Sequence, residues 1–288
     1  MATGRLDDET TASWEWDVPC AKLCSYGVGG KALALAKVGG GGELQRVLQW
    51  CNDNGLPWKV IGGGSNLLVS DAGFPGVVIK LDSESRIQNS GCCVTVGAGM
   101  SGGALLTWCE KQGLSGIEFM DGIPGTLGGW VAGNAGVKDA AIGDVVAEVE
   151  IFSHKGALPL CERKILQFSY RRTEGLGDGA ILLSVTLRLR ASSPEAVRAK
   201  RLEYRAKRFD FSGMRTAGSV FKNPPGQSAG KLLDDAGCKG MRVGGAVIYE
   251  RHANVIVAGD GATASDVLAL IQLMEQRAPT LEREIRVH

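Results

Sequence analysis

The stretch EFMDGIPGTLGGWVAGNAG, residues 118–136, sets glycines at positions 122, 125, 128, 129, 133 and 136. Glycine loses more backbone freedom on folding than any other residue, so this density is costly in chain entropy. It makes sense where backbone must lie flush against a ligand and aim bare N–H groups at it, and such a nest of donors suits a diphosphate. Pro124 and the apolar Ile123, Leu127 and Val131 would tie the loop to a core, which argues against a slack, ligand-free segment.

A second cluster, VIGGGSNLLVSDAG at residues 60–73, carries Gly62, Gly63, Gly64, Ser65, Asn66 and Leu67 between two apolar runs. A dinucleotide fingerprint of the G-x-G-x-x-G type needs a third glycine and a helix opening on the turn. Ser65, Asn66 and Leu67 stand where that glycine would fall, so the ordinary fingerprint is absent.

Three further blocks could do chemistry. FSYRRT (168–173) places Tyr170, Arg171 and Arg172 before a turn; alone they read as surface residues, yet a guanidinium suits a carboxylate because it stays charged and offers a planar fork of donors. Strand alternation would send Arg171 and Arg172 to opposite faces, so at most one of them serves. TAGSVFKNP (216–224) presents Ser219 between a glycine and a short β run, with Asn223 in the same block. No histidine lies nearby to activate this serine, which argues against a nucleophilic triad; a hydroxyl can instead give a proton to a carbanion formed beside it. LEREIRV (281–287) alternates as a strand, with Glu282 and Glu284 on one face with Arg286, on its own an exposed edge with a weak ion pair. The basic run Arg205, Lys207 and Arg208 reads equally as a solvated helix face or as a partner for a diphosphate.

These blocks need a scaffold, and the composition permits one. The chain has 288 residues, 44% hydrophobic and 22% charged, with a formal net charge of +1, enough for two or three domains. Neither bulk attraction to nucleic acid or membranes nor an apolar run near the ~20 residues of a membrane span is indicated. The N-terminal MATGRLDDETTA reads as a frayed cytosolic tail. The 8 cysteines form no C-x-x-C and the 3 histidines are dispersed, so reduced thiols are expected and no metal.

The periodicities alternate between strand and helix. Leu44, Val47, Leu48 and Cys51 fall on one helical face, 58–61 and 77–81 read as strands, and Ser101 and Gly113 bracket a helix after the strand 92–98. Residues 147–153 are strand-like, and 180–190 is the clearest strand, with Leu183, Val185, Leu187 and Leu189 on one side. Ser193-Pro194-Glu195 opens a helix running through Arg208. Beyond it come a strand at 219–222, a helix bearing Leu232 and Leu233, strands near 243–249 and 254–258, and a helix opened by Thr263 and Asp266.

IGGGSNLLV, GIPGTLGG and NAG, in this order and spacing, resemble the FAD-binding half of the UDP-N-acetylenolpyruvoylglucosamine reductase family, in its shorter type without an extra tyrosine loop. The resemblance spans residues 22–287. It implies an α/β (α+β) fold: a two-lobed FAD-binding half of the vanillyl-alcohol-oxidase/PCMH type and a C-terminal α/β substrate-binding domain. Lobe 1 would cover 13–81, with the strand 281–288 a candidate to return to it, lobe 2 would cover 82–191, and the substrate domain 192–280. The cofactors implied are FAD and NADPH. The flavin would lie on Gly62, Gly63, Gly64, Ser65, Asn66, Leu67, Ile123, Pro124, Gly125, Thr126, Gly128, Gly129, Asn134, Ala135 and Gly136.

The activity implied is NADPH-dependent reduction of UDP-N-acetylglucosamine enolpyruvate to UDP-N-acetylmuramate in peptidoglycan precursor synthesis. A cytoplasmic enzyme is expected, monomeric, with small-molecule substrates and no nucleic-acid or membrane partner. In the family pattern Arg171 polarises the enolpyruvyl carboxylate, Ser219 protonates C2 after hydride reaches C3, and Glu284, or else Glu282, supports the developing charge. Tyr170, Asn223, Lys207 and Arg208 would meet the substrate. The chain departs from the pattern at Val137-Lys138-Asp139-Ala140, at Asp210-Phe211, at Arg215 and at Trp130. Two rivals remain at this stage: an oxidase with covalently held FAD, which would call for a histidine near a flavin loop, and a non-catalytic binding module, which would not need Arg171, Ser219 and Glu284 together.

Overall fold

The computed structural model describes residues 12–82, 87–155, 158–177 and 179–288; the reading of residues 1–11 as a tail lies outside them. The chain forms two compact units. One comprises the residues up to Trp14 with Ala36–Gly62 and Val78–Phe209, the other Glu15–Leu35, Gly63–Val77 and Asp210–His288.

The first unit is built on a five-stranded antiparallel sheet in the order Leu158–Lys164, Val146–Lys155, Ile181–Arg188, Cys93–Gly97, Ile87–Ser90. Helix α1 (Gly41–Asp53) buries the stripe of Leu44, Val47, Leu48 and Cys51 that its spacing predicts. Helix α2 (Gly102–Gln112) starts where the Ser101 hydroxyl accepts from the Ala104 amide and stops at Gly113, whose φ of 63° only glycine adopts without strain. The short helix α3 (Leu127–Ala132) inserts Leu127, Trp130 and Val131 into the same core as Val94, Val185 and Leu187. Helix α4 (Pro194–Ala206) opens as expected, capped by Ser193 with Pro194 in its first turn, and ends two residues short of Arg208. Burial pushes the Cys109 thiol up to about 12, which leaves it a packing group.

The strand predicted at 180–190 departs from simple alternation. Val185, Leu187 and Leu189 are buried, but Leu182, not Leu183, joins them in the core. Ser184 pairs with Glu150 and Leu182 with Ile151, so one residue is extra and Leu183 forms a bulge that reverses the facing of everything before it.

In the second unit, Arg242–Val243, Ala246–Ile248 and Ile256–Ala258 form a three-stranded antiparallel sheet. Helix α5 (Ala229–Asp235) buries Ala229 and Leu233, and helix α6 (Ala264–Arg277) buries Val267, Leu270, Ile271 and Met274. The capping box predicted at Thr263 and Asp266 is present.

Two predicted strands here are corrected. Residues 219–222 form only isolated bridges, Ser219 with Val255 and Phe221 with Arg283. The side chain of Asn254 takes a neighbouring strand's place, accepting from the Phe221 amide at 2.9 Å and donating to its carbonyl at 2.8 Å. In 281–287 regular pairing is confined to Arg286–Val287, parallel to Leu67–Leu68. Glu282 accordingly pairs with Lys222 at 2.5 Å and not with Arg286.

Asp71 fastens the 63–77 segment to the start of α6, its carboxylate accepting from the amides of Ala264 and Ser265, both at 2.8 Å, and from the Ser265 hydroxyl at 2.6 Å. Burial pushes its carboxyl up, but the three bonds outweigh that and hold it below the ordinary aspartate value. The sign follows: a depressed folded-state value contributes stability that is present above the ordinary value and lost as pH falls through the folded one. Asp71→Ala should cost about 1 kcal/mol at pH 7, the order expected for a lost helix cap. Thermal unfolding of both proteins should show that difference shrinking as pH falls from about 4, where the unfolded chain's aspartate takes up its proton, and gone once the folded carboxylate is protonated as well.

Candidate active site

The glycine loop of the first unit is held from outside. The Leu127 amide donates to the Met100 carbonyl at 2.9 Å, that of Gly128 to Ala98 at 2.8 Å, and that of Gly129 to the Thr126 hydroxyl at 3.3 Å. The Trp130 indole donates to the Pro124 carbonyl at 3.1 Å, and its ring has room because Gly102 carries no side chain. Gly62 lies so close to the Thr126 hydroxyl that a Cβ there would overlap it, which brings the two glycine clusters together in this unit.

With those amides engaged, the amides of Gly125, at φ 118°, and of Thr126 carry no protein acceptor among the described residues. Neighbouring donors on backbone without bulk fit the diphosphate of FAD. Gly62, Ile123, Pro124, Gly125 and Thr126 are the residues of this unit that would hold it.

The Asn134-Ala135-Gly136 end of the motif meets the arginine block. Gln167–Ser169 and Arg172–Glu174 pair as a hairpin, with Ser169 opposite Arg172. Tyr170 and Arg171 are therefore its turn, which corrects the expectation of strand alternation; Arg171 has φ 53°. Its Nη2 donates to the Gly136 carbonyl at 3.1 Å, its guanidinium stands 5.8 Å from the ring centre of the exposed Tyr170, and Arg172 points to Glu174 at 3.1 Å.

Helix α4 reaches the same unit's glycine segment through ions. Asp121, only 4% exposed, receives Arg201 at 2.7 Å and Arg205 at 3.1 Å, and Arg201 also holds Glu110 at 2.6 Å. A carboxylate so buried needs such pairing. Arg208 donates to the Phe119 carbonyl at 2.6 Å. Burial pushes its guanidinium down from its ordinary value, the charge of Asp121 opposing this and that of Arg171 adding to it. Two cations thus share one neighbourhood, whereas Lys207 is an exposed partner of Glu203 at 2.5 Å. The sequence carried no periodic sign of the Asp121 network; the one available hint was an acid inside a glycine-rich run.

The second unit gathers Gly63, Gly64, Ser65, Asn66, Leu67, Ser219, Asn223 and Glu284. Gly64 has φ 67°, and a side chain there would strike the Leu23 carbonyl. Asn66 holds the C-terminal block from both ends: its side-chain amide donates to the Glu284 carbonyl at 3.1 Å and its carbonyl accepts from the Arg286 amide at 3.2 Å. The Glu284 amide in turn donates at 2.8 Å to the carbonyl of Val220, the residue after Ser219. Ser219 is exposed, with no protein hydrogen bond to its hydroxyl among the described residues. Asn223 accepts from the Ala229 amide at 2.9 Å and so fixes the start of α5. Arg215, a departure noted in the sequence, donates to the carbonyls of Ala258 and Gly259 and accepts through its own carbonyl from the Ala258 amide. It thereby anchors the segment before Thr216 to the end of the strand Ile256–Ala258.

A family model of an FAD binding domain matches residues 32–161, and one of the UDP-N-acetylenolpyruvoylglucosamine reductase C-terminal domain matches 210–287. An FAD-binding domain joined to a reductase C-terminal domain, in the mixed α/β class expected, defines an FAD-dependent oxidoreductase. The UDP-N-acetylenolpyruvoylglucosamine reductase of Desulfosudis oleivorans is 39% identical over 293 residues, covering 95% of this chain and 94% of its own. That of Heliobacterium modesticaldum is 38% identical, covering 95% and 90%. The crystal structure of the Thermus caldophilus UDP-N-acetylenolpyruvylglucosamine reductase matches with a TM-score of 0.81 at 37% identity, over 96% of this chain and 98% of that one. The chain belongs to the UDP-N-acetylenolpyruvoylglucosamine reductase family.

Trp130→Phe removes the donor to Pro124 and the part of the ring that fills the space beside Gly102. The change should cost about 2 to 4 kcal/mol in thermal unfolding, the lost hydrogen bond and the cavity left by the smaller ring together, and loosen the loop that would hold FAD. Gel filtration followed by flavin absorbance should find less cofactor retained than in the wild type.

Proposed function

We propose that the protein reduces UDP-N-acetylglucosamine enolpyruvate to UDP-N-acetylmuramate, with NADPH as reductant, for peptidoglycan precursor synthesis, and that it acts as a cytoplasmic monomer. In this reading residues 13–81 and 82–191 serve the flavin and 192–280 the sugar nucleotide. FAD, when bound, supplies the hydride; the protein supplies position, charge and a proton.

The observation that carries the reading is the backbone tie between the Ser219 block and Glu284, made by the neighbouring Val220. A hydroxyl with no competing protein partner is exposed on backbone that is bridged to Val255 on one side and bonded through Val220 to Glu284 on the other. A weak acid such as a serine protonates only a strongly basic carbon, and it needs this fixed placement to do so. Ser219 is the proton donor to C2, and Glu284 steadies the charge that develops at the enol carboxylate. Arg171, with a guanidinium fixed by Gly136, draws electron density toward that carboxylate. Tyr170, Asn223, Lys207 and Arg208 are assigned to the sugar nucleotide. Arg208 is favoured over Lys207 for its diphosphate, because it shares a neighbourhood with Arg171 whereas Lys207 stands exposed beside Glu203.

Ser219→Ala separates the two half-reactions. Flavin reduction by NADPH involves no substrate carbanion and should proceed at the wild-type rate. Reoxidation by the enolpyruvyl sugar should slow by ~10² to 10⁴, the range of general acid catalysis, and Ser219→Cys should recover part of the loss. Stopped-flow absorbance of the flavin measures each half. Equal slowing of both would mean that the serine positions the flavin or the fold, and the proposed role would be wrong.

A further inference from the structure

We propose that Asn134 is a positioning residue for Arg171: its side-chain amide fixes the hairpin whose turn presents the guanidinium. The inference rests on the reading of Arg171 given above, and it gives the NAG motif a duty toward the substrate beyond any toward FAD.

Arg171 sits at φ 53°, a left-handed conformation that an arginine keeps only where its surroundings impose it. Three bonds tie the hairpin to the segment 131–136. Asn134 Nδ2 donates to the Ser169 carbonyl at 2.7 Å, the Thr173 hydroxyl donates to the Val131 carbonyl at 2.6 Å, and Arg171 Nη2 donates to the Gly136 carbonyl at 3.1 Å. The first is the one nearest the turn that a side chain of the motif makes, and it falls two residues before Arg171.

Asn134 is itself well placed to transmit position. It is 6% exposed and has φ 42°, a region asparagine enters more readily than most residues. Its Oδ1 accepts from the Gly143 amide at 3.0 Å, so one planar amide joins the NAG segment, the Ile142–Asp144 turn and the hairpin. Gly143 leaves no room for a side chain because the Phe168 ring of the hairpin packs there. The guanidinium is therefore placed by Asn134 through Ser169 and by Gly136 directly.

The side chain's two functions can be cut apart. Asn134→Asp keeps the shape, the φ preference and the acceptor for Gly143, and loses the donor to Ser169. Asn134→Gly keeps the φ and loses both. Because the NAG motif is also expected at the flavin, each variant is reconstituted with FAD, and its rate of reduction by NADPH is the reference against which the second half-reaction is read. Flavin reoxidation by the enolpyruvyl sugar should slow by ~10 to 10², the cost of a reacting group misplaced by about 1 Å, and calorimetry should show weaker binding of UDP-N-acetylmuramate. If Asn134 acts through Arg171, the double variant Asn134→Gly/Arg171→Ala should reoxidise no more slowly than Arg171→Ala alone.

Factors that multiply in the double variant overturn the proposal while leaving the role of Arg171 standing. Equal slowing of reduction by NADPH in the reconstituted enzyme also overturns it and returns Asn134 to the cofactor alone. An Arg171→Ala enzyme that reoxidises at the wild-type rate overturns the role of Arg171 and this inference with it.

Discussion

Each residue assigned to catalysis hangs on an asparagine side chain that stands in for a missing backbone partner. Asn254, 2% exposed, bonds both backbone groups of Phe221, two residues after Ser219. Asn134 holds the carbonyl of Ser169, two residues before Arg171, and Asn66 holds the carbonyl of Glu284 itself. The reason is common to all three. Active groups sit where regular pairing stops, and backbone polar groups left over inside a fold must still be satisfied. A primary amide offers a donor and an acceptor in one plane, as a peptide group does, so it can replace a strand edge without continuing the strand.

The glycines obey a second constraint, close approach of backbone to backbone. At Gly64 the neighbour that forbids a side chain is the Leu23 carbonyl, and at Gly128 it is Ala98. Density of glycine therefore reports protein packing as well as room for a ligand. In the 123–126 loop the amides of Gly125 and Thr126 have no protein acceptor among the described residues, whereas those of Leu127, Gly128 and Gly129 are committed. Trp130, unexpected at its position, has a clear use here: it reaches back to Pro124 across the space left by Gly102.

Helix α4 shows how charge that reads as a solvated face can be structural. Of its cations, Arg201 and Arg205 converge on the buried Asp121, and Arg208, just beyond the helix, takes the Phe119 carbonyl. A buried carboxylate recruits whatever cations the helix presents, since leaving it unpaired costs more than any single surface ion pair contributes.

The chain's own chemistry determined the local elements: the stripes of α1 and α6, the caps at Ser101, Ser193 and Thr263, the stop at Gly113, and the family blocks that locate Arg171, Ser219 and Glu284. The stripes, caps and stop depend on neighbours within a turn or two, and periodicity encodes them directly, whereas the three blocks were legible only through the family resemblance. Tertiary structure alone decided the bulge at Leu183, the hairpin turn that puts Arg171 at positive φ, the reduction of 281–287 to one short pair, the partners of Asp121 and the bond from Asn134 to Ser169. Each of these turns on a residue 30 or more positions away in the chain, or on which strand happens to lie alongside, apart from the hairpin turn, whose φ is imposed by what the hairpin packs against. A single sequence records the side chains that make such bonds but not the distance across which they meet.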